Sequence, residues 1–235
     1  RGAYIARIFC WLVDKCGLPA DIYQYSVLWG FFLSHVRGQI GLAELDDKII
    51  HWRESNQYST PQIEMLGVWD TVKTADFGGD GLEFDSRLAN NVKNAYHAMA
   101  LDELRTLFPV LRFQPNPRVR ELWFAGNHCD IGGGYPEDGL SNISLQWMLD
   151  RAIEHGLRFH NNPPKQDIFQ PCHDEASKPL WIAIGLKNCL TLGTIRTPRT
   201  VLSHDLVNKQ VEVKQQKQGY EPKARIPADV DFVEC

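Results

Sequence analysis

No long run of basic or acidic residues interrupts the 235-residue chain, in which 25 Lys and Arg stand against 29 Asp and Glu for a net charge of -4. A groove that neutralises nucleic-acid phosphates needs a concentrated basic face. None is visible, and no nucleic-acid partner is expected. Long apolar runs are lacking too. The longest, Tyr25 to Val36, is broken by Ser26, Gly30, Ser34 and His35, and it falls short of the roughly 20 residues a membrane-spanning helix needs. Cys10, Cys16, Cys129, Cys172, Cys189 and Cys235 include no C-x-x-C pair, which argues against a zinc knuckle or a thioredoxin-like motif. The even count permits disulfides, but the scatter favours reduced thiols and a cytoplasmic protein. H-E-x-x-H is missing, as is a G-x-G-x-x-G helix start. There is no internal repeat, no signal peptide and no initiator Met, so the opening Arg1-Gly2-Ala3-Tyr4 reads as a truncation.

What is present is enough apolar material, 43% of residues, for a sizeable core. The length suits one large α/β domain or two small ones, and a single domain over 1–235 is expected. Ile5, Ile8, Phe9, Leu12 and Val13 recur at three- and four-residue steps, predicting a helix from Ala3 to Cys16 that Gly17 and Pro19 stop. Residues 20–54 read as largely helical and rich in aromatics, among them Tyr23, Tyr25, Trp29, Phe31 and Phe32. Residues 20–60 are a candidate helical cap over an active site, in contact with acyl chains; ordinary core helices explain them as well.

Ile63 to Trp69 reads as a buried strand that breaks at Asp70-Thr71. A Gly/Asp-rich loop over 75–81 follows, then an amphipathic helix from about Asn91 to Leu107 closed by Pro109. Val119 to Ala125 predicts a second buried strand ending at Asn127, His128 and Asp130. Three glycines, Gly132 to Gly134, lead to a helix from about Ser144 to His155. Leu180 to Leu186 fits one more strand or helix. From Val207 onward the chain is polar and Pro-containing, and a peripheral tail is expected there.

Buried strands alternating with helices point to a mostly parallel sheet. Ligands of such sheets sit outside the carboxyl ends of the strands, where Asp70 and His128 both fall. An acid followed later by a histidine is the chain order of an α/β-hydrolase triad. Alternatives stand beside this reading. Asp70 alone suits a turn or a cap, and His128 alone suits a loop histidine bonded to backbone. Asp130 could pair with His128, or share a metal with it, although no second histidine lies at helical spacing. His204 is a rival base, being later in the chain. His97, Asp102, Glu103 and Arg105 fall on the predicted 91–107 helix, where Asp102 and Arg105 could form an ion pair. The three glycines suit a tight backbone turn beside a histidine better than a phosphate cradle.

RGAYIAR at the start, LGVWDTV at Leu66 to Val72, YHAMALDELRTLF from Tyr96 and LWFAGNHCDIGGGY from Leu122 are similar to a family of α/β-hydrolases. It is common in fungi and bacteria and includes the phospholipase effectors of type VI secretion. The likeness continues into LSNISLQWMLDRAIEHGL at Leu140 to Leu157 and is loose after about residue 165. It implies a partial α/β-hydrolase fold: a mostly parallel sheet flanked by helices, with a helical insertion. The family's elbow reads G-F-S-R-G-A-Y, so the resemblance puts the nucleophilic serine just before Arg1, with Gly2 closing the turn and the Arg1 N–H as an oxyanion donor. It assigns the acid to Asp70 and the base to His128. It further implies a lipid or other ester substrate, contact with a membrane surface, and chemistry that needs no cofactor or metal. Ser26, Ser34, Ser141, Ser144 and Ser203 are not in elbow contexts. Without that serine the chain itself would be an inactive fragment or a pseudoenzyme serving as an interaction module.

Overall fold

The computed structural model describes residues 2–56, 58–72, 86–160, 162–182 and 196–234. Arg1, the 75–81 loop and residues 183–186 of the candidate element at 180–186 lie outside them. The chain divides into two compact units: residues 1–66, 74–95 and 112–118 form one, and 67–73, 96–111 and 119–235 the other.

The first unit is mainly helical. Helix α1 (Gly2–Cys16) is followed by a two-residue strand β1 (Leu18–Pro19), helix α2 (Ile22–Val36), helix α3 (Leu42–Ser55) and strand β2 (Tyr58–Ser59). β1 and β2 pair antiparallel. Between α1 and β1, Gly17 adopts φ 72, and a Cβ there would sit 2.6 Å from the Tyr58 ring. Asp21 caps α2 by accepting from the Tyr23 N–H. The buried stripe of α1 runs through Tyr4, Ile8 and Trp11, while Ile5 and Phe9 are exposed. It is therefore turned by about one residue from the stripe expected. α1 is apolar on more than one side, and periodicity alone does not choose between overlapping stripes. Trp11 and Trp29 both pack against the fully buried Phe32 of α2, at ring distances of 6.4 and 5.3 Å.

The second unit carries a five-stranded parallel sheet flanked by helices, an α/β fold, in the order β3-β4-β5-β6-β7. Its strands are β3 (Leu66–Trp69), β4 (Ala95–Ala100), β5 (Val119–Phe124), β6 (Leu206–Asn208) and β7 (Asp231–Val233). Its helices include α4 (His128–Gly132), α5 (Gly139–Glu154) and α6 (Lys209–Gln218). β5 and β6 align Leu122 with Leu206, and β6 and β7 align Val207 with Phe232. Met99, Leu101, Trp123, Val201, Val207, Val211 and Val230 form one core cluster around these strands.

Two expectations are corrected here. The stretch from Asn91 to Leu107 is not a helix: Ala95–Ala100 is the strand between β3 and β5. Ala and Met favour helices in isolation. Here, however, Ala95, Ala98 and Ala100 are fully buried, and the strand's neighbours supply hydrogen bonds on both edges, an instance of tertiary pairing overriding propensity. His97, Asp102, Glu103 and Arg105 consequently share no helix face. Nor is the segment after Val207 peripheral, since it builds β6, α6 and β7. Its polar helix hides few side chains, but Val207 and Val211 lie in the core, and strands this short leave almost no periodic signal. α5 begins five residues earlier than expected, at Gly139. Among the described residues no helix is long and apolar enough to cross a membrane.

Candidate active site

β3 ends at Trp69, and Asp70 turns away from it at φ 38. This is left-handed backbone that costs most residues strain but that Asp tolerates better than most. The Asp70 N–H still donates to the Ala98 carbonyl at 2.7 Å, so β3 is pinned to β4 up to the turn. Thr71 is pinned as well, its N–H donating to Nε2 of the fully buried His97 at 3.0 Å. The His97 Nδ1 faces Glu121 at 2.9 Å.

His128 is set by a second turn. After β5, Gly126 takes φ 115, with a would-be Cβ 2.4 Å from the Asp130 Cβ, so no side chain fits there. Asn127 then caps α4: its side-chain oxygen accepts from the Cys129 and Asp130 N–H groups. In return the Asp130 carboxylate accepts the Asn127 N–H at 2.9 Å. This reciprocal capping box fixes His128 as the first residue of α4.

The two turns bring Asp70 and His128 together: His128 Nδ1 lies 2.7 Å from Asp70 Oδ2. The Asp70 side chain is fully buried, and that of His128 is 23% exposed. Burial alone would raise the Asp70 carboxyl. The Arg199 guanidinium and the His128 hydrogen bond outweigh it and hold the group well below the usual carboxylate range. Asp70 is thus ionised and accepts from Nδ1, so that in the neutral ring Nε2 is the acceptor. The remaining donors on Asp70 are the Ala100 N–H at 2.9 Å and the two Arg199 Nη groups at 2.5 and 3.0 Å. Phe108 stands edge-on to the imidazole, with ring centroids 5.4 Å apart. An oriented, partly exposed imidazole whose Nε2 has no hydrogen-bond partner among the described residues can take a proton from a hydroxyl and return it to a leaving group.

The other sequence candidates go elsewhere. Asp130, the rival partner for His128, is instead 2.7 Å from the Nδ1 of His173. His204 is exposed and precedes β6, on the amino side of its strand, whereas Asp70 and His128 follow the carboxyl ends of theirs. Asp102 accepts from the Gly126 N–H and the Tyr220 hydroxyl, both at 2.7 Å. It does not pair with Arg105, which grips Glu103 at 2.7 and 2.8 Å. The hydroxyls of Ser26, Ser34, Ser141 and Ser144 each donate to a nearby backbone carbonyl. Gly2 is the first residue of α1. Among the described residues no group of three or more His, Cys, Asp or Glu is gathered as for a metal ion. Sequence reasoning missed Arg199, which sits in TPRT with no motif around it.

Comparison with known proteins identifies the family. Residues 1–151, more than half of the chain, match the family model described as type VI secretion system phospholipase effector Tle1-like, catalytic domain. The uncharacterized protein YEL023C of Saccharomyces cerevisiae is 42% identical over 53 residues, 20% of this chain and 8% of the yeast protein. A crystal structure of an uncharacterized protein from Pseudomonas aeruginosa is similar at 26% identity and a TM-score of 0.34, over 43% of this chain and 19% of the other. The chain therefore spans only a small part of the length of these two relatives. By the match over residues 1–151, the chain belongs to the Tle1-like phospholipase effector catalytic-domain family.

Proposed function

We propose that the full-length protein is a serine hydrolase of lipid esters. His128 is its general base, Asp70 orients that base, and the nucleophile is a serine immediately before Arg1. The observation that carries the reading is the 2.7 Å contact between His128 Nδ1 and a buried, ionised Asp70 at the carboxyl ends of a parallel sheet. In this mechanism His128 Nε2 takes the serine proton as Oγ attacks the ester carbonyl. By the elbow pattern of the family, the residue after the serine, here Arg1, is assigned the N–H donor to the developing oxyanion, a contribution of about 3–4 kcal/mol in comparable sites. His128 then protonates the departing alcohol, and water, activated by the same nitrogen, releases the acid.

Lipid as the substrate rests on the family, whose model is described as a phospholipase effector catalytic domain. It is also in keeping with α2, which has no Asp, Glu, Lys or Arg over 15 residues and exposes Tyr23, Val27 and Trp29. Aromatic side chains of this kind suit the boundary between water and acyl chains, and we assign α2 and α3 to contact with acyl chains and the membrane surface.

A fluorophosphonate probe on the full-length protein tests the reading. Labelling is expected on the serine preceding Arg1 and should be lost in His128→Ala. A full-length sequence with no serine there, or hydrolysis that proceeds at the normal rate without labelling, overturns it.

A further inference from the structure

Asp70 is satisfied in an unusual way for a carboxylate that orients a histidine. It needs one donor from the imidazole and can take backbone N–H groups for the rest. Here it takes one, from Ala100, and otherwise faces a whole guanidinium. Arg199 Nη1 reaches Oδ1 and Nη2 reaches Oδ2, a two-pronged grip that fixes the plane of the carboxylate. The same nitrogens continue outward: Nη1 donates to the Ala100 carbonyl at 2.8 Å and Nη2 to the Phe108 carbonyl at 3.0 Å. One buried side chain, 5% exposed, therefore ties the ends of β3 and β4 to the residue whose ring lies against His128. We propose that Arg199 is a positioning residue that acts on His128 through Asp70, holding the carboxylate in plane with the imidazole and sharing its negative charge.

This inference rests on the hydrolase reading and deepens it. Among the described residues, the charged groups bonded to His128 or to its carboxylate partner are Asp70, Glu103 and Arg199. Asp70 follows β3, Arg199 comes from the segment before β6, and the loop after β4 supplies Glu103, whose Oε2 is 3.4 Å from the His128 N–H. Glu103 is in turn matched by Arg105 at 2.7 Å, a guanidinium stacked on Phe108. With that pair matched, the negative charge facing the imidazole comes from Asp70, and Arg199 offsets it while leaving the orienting hydrogen bond intact.

The test is the pH profile of kcat/KM on a soluble short-chain ester, with the full-length protein and its Arg199→Lys and Arg199→Met variants. Arg199→Lys keeps the charge but not the fork. It should retain the position of the acidic limb, leave KM nearly unchanged and lower kcat by roughly tenfold, as loosening of a positioned group does. Arg199→Met should move the acidic limb upward by about one pH unit or more, the effect of deleting a neighbouring opposite charge from a carboxylate–histidine pair. An unmoved limb in folded Arg199→Met overturns the proposal, and so does wild-type kcat in Arg199→Lys. The lysine variant decides alone if the methionine variant does not fold. Failure of the hydrolase reading shows separately, as undiminished turnover in His128→Ala with Arg199 in place.

Discussion

The second unit contains two histidine–aspartate pairs with the same contact, and they are built for different ends. His128 and Asp70 meet at 2.7 Å, as do His173 and Asp130. In both, the carboxylate is buried and the imidazole partly exposed. The difference lies in what else the carboxylate holds. Asp70 is held by a guanidinium and one backbone N–H, and His128 contributes only its ring to the contact. Asp130 accepts the backbone N–H groups of Asn127 and His173, while the His173 carbonyl accepts from the Asn127 side chain and its ring stacks on Tyr135 at 3.8 Å. His173 is thus anchored by its N–H, its carbonyl and its ring. A short contact between imidazole and carboxylate is therefore poor grounds for assigning a base; the other partners of the carboxylate discriminate. One pair orients a ring, and the other staples a loop to the helix turn that begins with His128.

The sharpest way to break this contrast is kinetic. If the full-length protein is the proposed hydrolase, His128→Ala and Asp70→Asn should each lower kcat by roughly 10⁴-fold, the scale of triad disruption elsewhere, while His173→Ala leaves kcat essentially unchanged. Steady-state hydrolysis of a soluble ester measures all three, and comparable losses at His128 and His173 would erase the distinction. The next effect is on stability. Asp130→Ala strips the capping box and leaves the Asn127 and His173 N–H groups without their acceptor, at about 1–3 kcal/mol for each buried group left unpaired. Thermal unfolding should then fall by about 2–4 °C per kcal/mol lost in a chain of this size, and an unchanged Tm would deny Asp130 its stapling role. The smallest effect concerns acid. Because Asp70 is held below the usual carboxylate range, its ionised form stabilises the fold fully above about pH 4 and that contribution fades as pH falls further. Urea midpoints between pH 6 and 2 should accordingly drop less steeply for Asp70→Asn than for the wild type. Parallel slopes would show that Asp70 does not carry that titration.

Much of the frame was legible in the sequence. LGVW and VRELWF are short apolar runs ended by polar residues, and they are β3 and β5; the residues after them, Asp70 and His128, meet at the strand ends. What could not be read there depends on partners distant in the chain. YHAMA carries Ala and Met in a pattern that a helix accommodates equally well, and only the flanking strands make it β4. Arg199 lies 129 residues from Asp70, in a segment with no periodicity and no motif. β6 and β7 have three residues each, too few for alternation to register. His97 was legible as a residue of interest, but its support of the Thr71 N–H follows from a strand that the sequence disguised.

The sheet lays its strands down in the order in which a ribosome would deliver them, each beside the one before. Growth of this kind always leaves one open edge and needs no earlier strand to be prised apart. Its cost falls on Asp70, which must await a cation 129 residues downstream, about 6–26 s at ordinary elongation rates of 5–20 residues per second. Until then the carboxylate has reason to stay in water rather than enter the sheet's mouth. The Asp70–Arg199 contact is thus completed late, after β3, β4 and β5 but ahead of β6 and β7.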